Sequence, residues 1–244
     1  MRLLALGGLS ILCAAGLDRR QTDAWLERLP ATFSTTRFMY LPAQFAESRI
    51  GELHRIVREN ALGMLVTHTP AGLEANHLPF FLDGDMLLAH VARGNPIWRE
   101  VRDGDQVLVV FRGVEGYISP NWYPGKQDTH RRVPTWNYEV VHAHGTIHVR
   151  DDVKFVRRVV ALLTRQHEAG QAQPWKMGDA PPDYLDEQLR HIVGIEIRLG
   201  RLEGKRKLNQ HHGEQDREGA IQGLESRGNH GLAKAMREAT SPTS

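Results

Sequence analysis

Cysteine is nearly missing from this chain: Cys13 is the only one. That excludes an internal disulfide framework and a cysteine-based zinc site, and it favours a reducing, cytoplasmic compartment. A dominant charge sign is missing too. A formal net charge of +2 over 244 residues gives no global pull toward nucleic acid or a membrane surface. The longest apolar run, Leu3 to Leu17, is short of the roughly 20 residues that span a bilayer. No glycine-rich loop follows a strand in a βαβ setting, which argues against a Rossmann nucleotide site. There is no Gly-x-Ser-x-Gly elbow, no His-Glu-x-x-His helix and no internal repeat. Nothing in the sequence marks a general acid or base, so no catalytic residue is assigned. The pattern suits a binding protein better than a hydrolase.

Aromatic residues make up only 7% of the chain, yet Tyr117, Trp122, Tyr123, Trp136 and Tyr138 gather in one short region. They are interleaved with Ser119, Asn121, Thr135 and Asn137 and with Pro120, Pro124 and Pro134. A core segment would favour Leu, Ile and Val and would avoid indole and phenol groups that need polar partners. Rigid aromatics among small polar residues suit stacking on a flat ligand or contact with a partner chain.

The apolar content of 41% and charged content of 25% are those of an ordinary globular domain with appendages. Residues 1–38 read as an N-terminal extension: either an upstream segment before a start at Met39, or the apolar region of a secretory signal with small residues near Ala15. Residues 39–212 read as the main domain and 213–244 as a helical tail. Phe45 to Glu59 has helical spacing. Short apolar or alternating strands follow at 61–67, 73–82 and 86–91, with a hairpin turn at Asp83-Gly84-Asp85. Further strands are expected at 106–111, 138–149 and 192–202, with helices at 95–101, 153–167 and 184–191. Tight turns with few intervening helices predict a mainly β fold with flanking helices, a small closed or split barrel. In the tail, 215–225 and 230–238 read as two helices around a glycine turn. The second carries only Lys234 and Arg237 as cations, so the pair reads as a packing hairpin in preference to a DNA-reading helix-turn-helix.

The segment His90-Val91-Ala92-Arg93-Gly94-Asn95-Pro96 joins a strand end to a helix start, where backbone N–H groups beside Arg93 and His90 could hold a phosphate monoester. The same pattern also fits an Asn helix cap with a solvent-exposed Arg, and both readings stand. Lys205-Arg206-Lys207 is expected to follow the last strand as a solvated basic end. His142, His144 and His148 share a strand face by their even spacing, but no carboxylate lies at short spacing, so no metal site is assigned.

The motifs Met39-Tyr40-Leu41-Pro42, His77-Leu78-Pro79, His90 to Pro96, Tyr117-Ile118-Ser119-Pro120, Pro134-Thr135-Trp136-Asn137-Tyr138 and Lys207-Leu208-Asn209-Gln210 occur in one order. They resemble the PaiB-type FMN-binding negative transcriptional regulators from Met39 onward. The resemblance implies a split β-barrel similar to pyridoxamine-phosphate oxidases, a homodimer, and FMN bound between subunits. Carried over by motif, His90, Ala92, Arg93 and Asn95 would surround the FMN phosphate and ribityl chain. His77 and Leu78 would line the pocket, Trp136 and Asn137 would close it, and Lys207 and Gln210 would contact flavin or phosphate. The family's Lys-Leu-Ser-Gln-Asn reads Lys207-Leu208-Asn209-Gln210-His211 in this chain. The resemblance implies a regulator, with DNA as a direct or indirect partner and no membrane. A flavin-dependent oxidoreductase is the alternative.

Overall fold

The computed structural model describes residues 39–126 and 130–239; the extension read at residues 1–38 lies outside them. Eight strands form one antiparallel sheet: β1 (Ala46–Glu47), β2 (Leu62–Thr69), β3 (Gly72–Pro79), β4 (Phe81–Asp83), β5 (Met86–Ala92), β6 (Gln106–Ile118), β7 (Thr135–Arg150) and β8 (Ile192–Lys207). Their order is β3-β2-β6-β7-β8-β5-β4, with β1 pairing the free edge of β8. The turn between β4 and β5 uses Gly84 at a φ of 61°, a region that a residue without Cβ enters at little cost.

Strand β8 is the hinge of the topology. β7 runs along its whole length, β5 pairs with its first half (Met86 with Arg198 through Ala92 with Ile192), and β1 takes its second half (Ala46 with Lys205). Strands β3 and β5 lie against each other without a backbone ladder. The Asn95 carboxamide crosses this seam, donating from Nδ2 to Asn76 Oδ1 at 2.7 Å. The fold is a split β-barrel with flanking helices.

The barrel interior follows from period-two alternation. Leu65, Val109, Phe111, Val141, Ala143, Ile147 and Ile195 face inward, and helix α1 (Ile50–Glu59) plugs the barrel with Leu53, Ile56 and Val57. The four-residue helix α2 (Ile97–Glu100) adds Ile97. Helix α3 (Val153–Glu168) is capped by Asp152, whose Oδ1 accepts from the Phe155 N–H at 2.8 Å. It lays Val159 and Leu163 on Leu88 outside the barrel. Its Phe155 ring sits so close to Gly194 that a Cβ there would lie 2.5 Å from the ring. Helix α4 (Pro182–Arg190) leads into β8.

Helices α5 (Glu214–Glu225) and α6 (His230–Glu238) build a second core with Ile118, Tyr123 and Leu208. Two glycines one turn apart on α5 make the groove that receives the 3-10 turn Pro120–Trp122. Cβ atoms would fall 2.1 Å from the Trp122 carbonyl oxygen at Gly219 and 2.2 Å from the indole at Gly223. Asp216 fastens the same helix, accepting from Gly125 N–H at 2.9 Å and from Arg132 Nε at 2.8 Å. Burial works to raise the Asp216 carboxyl pKa, but these bonds and the Arg132 charge win and hold it below the ordinary carboxylate range. A depressed native pKa stabilises the fold above the unfolded-state value near 4 and is lost as pH falls through the lower native value. Acidification below about pH 4 should therefore loosen the hairpin. Hydrogen exchange in α5 should rise there in the native protein, and Asp216→Asn should make it pH-independent over that interval.

Several elements differ from expectation. The first helix was expected from Phe45 but begins at Ile50, because Ala46–Glu47 are drawn into pairing with β8. β6 extends to Ile118, β7 begins at Thr135 and β8 runs on to Lys207. Polar residues at inward positions, Asn137, Glu139 and Arg206, interrupt the apolar alternation there, yet each is buried in the structure. The basic run Lys205-Arg206-Lys207 is thus part of the strand. Lys205 and Arg206 are buried instead of forming a solvated end.

Candidate functional site

The outer face of β6, β7 and β8 carries the aromatic cluster. Strand register sets Tyr117 opposite Trp136 and Tyr138 opposite Lys207. Tyr117 and Trp136 are 45% and 48% exposed, with ring centroids 6.4 Å apart and tilted by 61°. Beside them the Lys205 ammonium lies 5.6 Å from the Tyr138 ring, and the Lys207 ammonium donates to Thr135 Oγ1. Burial, and then the neighbouring Lys205 charge, push the Lys207 pKa down. An exposed indole or phenol ring beside the half-buried Lys207 can stack on a planar ring and sit next to an anion.

The remaining aromatics of the segment serve packing. Tyr123 is buried, its hydroxyl accepting from Asn209 Nδ2 at 2.9 Å and its ring stacked 5.0 Å from His212. Asn209 holds a φ of 62°, a left-handed conformation that Asn tolerates better than most residues. Asn137 is fully buried on the inner face, with Nδ2 3.5 Å from Met236 Sδ and Oδ1 without a hydrogen-bond partner. Gln210 braces the turn after β8: Oε1 accepts from Leu208 N–H at 2.8 Å and Nε2 donates to the Arg206 carbonyl at 2.6 Å.

The second group of candidates sits at the other end of the sheet. His90 pairs with Gly194 near the start of β8, thirteen residues from Lys207 and hence roughly 40 Å away along the strand contour at 3.3 Å per residue. Burial pushes the His90 pKa down. Ala92 ends β5 exposed, His77 is exposed on β3, and Leu78 is buried in the barrel core. Asn95 is a helix cap as well as the seam bridge, since its Oδ1 accepts from Ile97 N–H at 3.0 Å. Arg93 is fully engaged. It forms a two-pronged pair with Asp151 at 2.9 and 2.5 Å and donates to the Arg190 and Ile192 carbonyls at 2.7 and 3.3 Å. The structure thus joins Asn76 to Asn95 and puts Trp136 and Lys207 on one sheet face beside Tyr138, while the two groups lie toward opposite ends of β8. Asp151 was not singled out from the sequence; Tyr138 was named there within the aromatic segment and Lys205 within the basic run, neither as a site residue by itself.

The sequence pattern of the family described as "Putative FMN-binding domain" matches residues 39–201. The chain belongs to this PaiB-type FMN-binding family. FMN is the cofactor that membership assigns. Protease synthase and sporulation protein PAI 2 of Bacillus subtilis (strain 168) is 31% identical over 204 residues, covering 82% of this chain and 95% of that protein. An uncharacterized Emericella nidulans protein, AN0679, is 33% identical over 230 residues, covering 78% of this chain and 92% of its own length. The FAD and heme binding protein from Mycobacterium smegmatis shares the fold with a TM-score of 0.50 at 16% identity, over 67% of this chain and 73% of that one. Among the described residues no helix is long and apolar enough to cross a membrane.

The donor set of this PaiB-type chain fits a flavin mononucleotide. An isoalloxazine needs an open aromatic face, which half-exposed Tyr117 or Trp136 offers, and its anionic part needs a cation nearby, which Lys207 offers on the same side of the sheet.

Proposed function

We propose that this chain is a PaiB-like FMN-binding negative transcriptional regulator acting as a homodimer, with the flavin between two copies. One observation carries the dimer: the candidate residues form two groups at opposite ends of β8, so a single pocket needs one end from each copy. The outer sheet face between those ends supports this reading. It carries Met64, Val66, Leu108 and Val110, half-buried, and Leu62, exposed. An apolar, self-complementary patch of this kind is what a two-fold interface covers.

In this arrangement His77, His90, Ala92, Arg93 and Asn95 of one copy face the ribityl and phosphate part of the ligand. Trp136 and Lys207 of the other copy supply stacking and charge. Leu78 and Asn137 support the walls from beneath, and Gln210 holds the turn beside Lys207. FMN, when bound, supplies reversible hydride and electron transfer. The residues' own work is to orient it, shield one face from water and neutralise its phosphate. Arg93 reaches a phosphate by exchanging Asp151, an exposed partner at the surface.

The Bacillus subtilis relative is named for protease synthesis and sporulation, which supports regulation. The second reading, a flavin-dependent oxidoreductase, is favoured by α6. That helix buries Leu232, Ala233, Ala235 and Met236, and its exposed cations are paired, Arg237 with Glu225 and Lys234 with Glu238. Regulation in this protein therefore acts through a partner or through surfaces other than a recognition helix.

The purified protein should be yellow and elute as a dimer. Lys207→Ala should weaken FMN binding about tenfold or more, as loss of a charge-assisted hydrogen bond does, whereas Asp151→Asn should tighten it by freeing Arg93. Colourless protein that takes up no added FMN would overturn the assignment. NAD(P)H consumption by the FMN-loaded protein would select the oxidoreductase, and a salt-sensitive, sequence-selective shift of promoter DNA would select a direct regulator.

A further inference from the structure

The histidine row on β7 lacked a carboxylate in sequence, and the fold supplies one. Period-two alternation puts His142 and His144 on the outer face of β7, and the register sets Glu203 of β8 directly opposite His142. The ladder slips just beyond, between His144 and Gly145, where Gly200 is left without a partner. Such a bulge bends the strand and re-aims neighbouring side chains. His144 Nε2 lies 3.3 Å from Glu203 Oε2. The two imidazoles are 6.4 Å apart and inclined at 68°, so they do not stack. One ligand atom from each of the three residues lies within 4.8 Å of the others. His148 is not part of the group, because its Nδ1 is 2.9 Å from Asp103 Oδ2.

We propose that His142, His144 and Glu203 form a three-ligand site for one divalent transition-metal ion, zinc in the simplest case. The ligand chemistry is two imidazole nitrogens and one carboxylate, a set that suits zinc and its neighbours and not calcium or magnesium, which take oxygen ligands. Bond lengths of about 2.0–2.1 Å in a tetrahedron imply ligand atoms roughly 3.3 Å apart. The His144–Glu203 pair is already at that spacing, and His142 closes the remainder by side-chain rotation. Leu108 and Val110 of β6, opposite His144 and His142, give the site an apolar flank. Three protein ligands leave a fourth position for water or an anion, at the margin of the face proposed above as the dimer seam.

Two cations oppose the ion. Arg201 lies opposite His144, with Nη1 3.6 Å from Glu203 Oε1, and Lys205 follows on the same face. Arg201 competes for Glu203 directly, so its removal should strengthen metal binding.

The test uses the full chain, stripped with a chelator and then titrated with Zn²⁺ by calorimetry and with Co²⁺ by visible absorption. One ion per chain is expected. His142→Ala and His144→Ala should each lower affinity on the order of 100-fold, at or above the upper range for losing a mere outer-shell partner. Glu203→Gln, which keeps the shape, should weaken Zn²⁺ binding as well. Arg201→Gln should tighten it, and His148→Ala should leave it unchanged. No binding by the stripped wild type, or unaltered stoichiometry in the His142→Ala/His144→Ala double variant, overturns the site. FMN uptake measured on the same samples separates this result from the flavin reading, since either can fail alone.

Discussion

Arg206→Met is expected to cost the fold about 3–5 kcal/mol, the range found when one member of a buried ion pair is removed. Arg206 and Glu139 are 7% and 2% exposed, and Arg206 Nε donates to Glu139 Oε1 at 2.6 Å. Arg206 also lies 3.5 Å from Glu47 on β1. Without it, Glu139 keeps Arg55 of α1, at 3.2 Å, as its cation among the described residues, and an inward carboxylate sits in the barrel end with too little compensation. The pair ties β1, α1, β7 and β8 together, so its loss should open the end of the barrel next to the aromatic face. The companion variant decides the cause. Arg206→Met combined with Glu139→Leu removes both charges and should recover most of the loss, because an apolar replacement of a whole buried pair is often neutral. Urea denaturation of the three proteins measures both effects. A single variant within about 1 kcal/mol of wild type, as for an exposed pair, would show that Glu139 is solvated and the network marginal.

Gly219→Ala should also destabilise the protein, against the trend for helices. In an exposed helix interior this change gains about 1 kcal/mol from propensity. In α5 the new methyl would sit 2.1 Å from the Trp122 carbonyl oxygen and near the Pro124 ring. Backbone cannot step aside as a side chain can, and overpacking of this kind costs about 1–3 kcal/mol or more. The clash therefore exceeds the propensity gain, and α5 must lift from the 3-10 turn. Limited proteolysis should release the segment after residue 213 faster than in wild type, with FMN uptake as the second readout. A more stable Gly219→Ala protein would mean that α5 does not dock on Trp122.

The same two sites show how much the sequence could say. A short apolar run located β2, the Asp83-Gly84-Asp85 turn located β5, and the 3.6-residue spacing located α3, whose buried positions are Val156, Val159 and Leu163. The ends of β6, β7 and β8 were not legible. Asn137 and Arg206 occupy inward positions in the missed ends of β7 and β8, and a polar residue at an inward position reads as a strand end until its partner is known. Their partners, Met236 for Asn137 and Glu139 for Arg206, are 99 and 67 positions away.

The motifs of the candidate site were readable from the residues, and their engagement was not. Arg93 looks like a phosphate clamp in sequence, but a guanidinium is defined by what its five donors meet, and Asp151 and two carbonyls meet them in the fold. Asn95 held two readings in sequence, and the structure makes it the cap of α2 and the bridge across the seam.

By itself the sequence determined the class of this protein: a mainly β barrel, an FMN-type family, an aromatic face and no disulfide framework. These follow from composition, short-range periodicity and contiguous motifs, which need no knowledge of distant neighbours. Tertiary structure alone decided that Lys205, Lys207, Tyr138 and Trp136 share a sheet face, that the two groups of candidate residues lie toward opposite ends of β8, and that Glu203 lies beside His142 and His144. Strand register makes those decisions, since it couples residues through backbone hydrogen bonds between segments far apart in the chain.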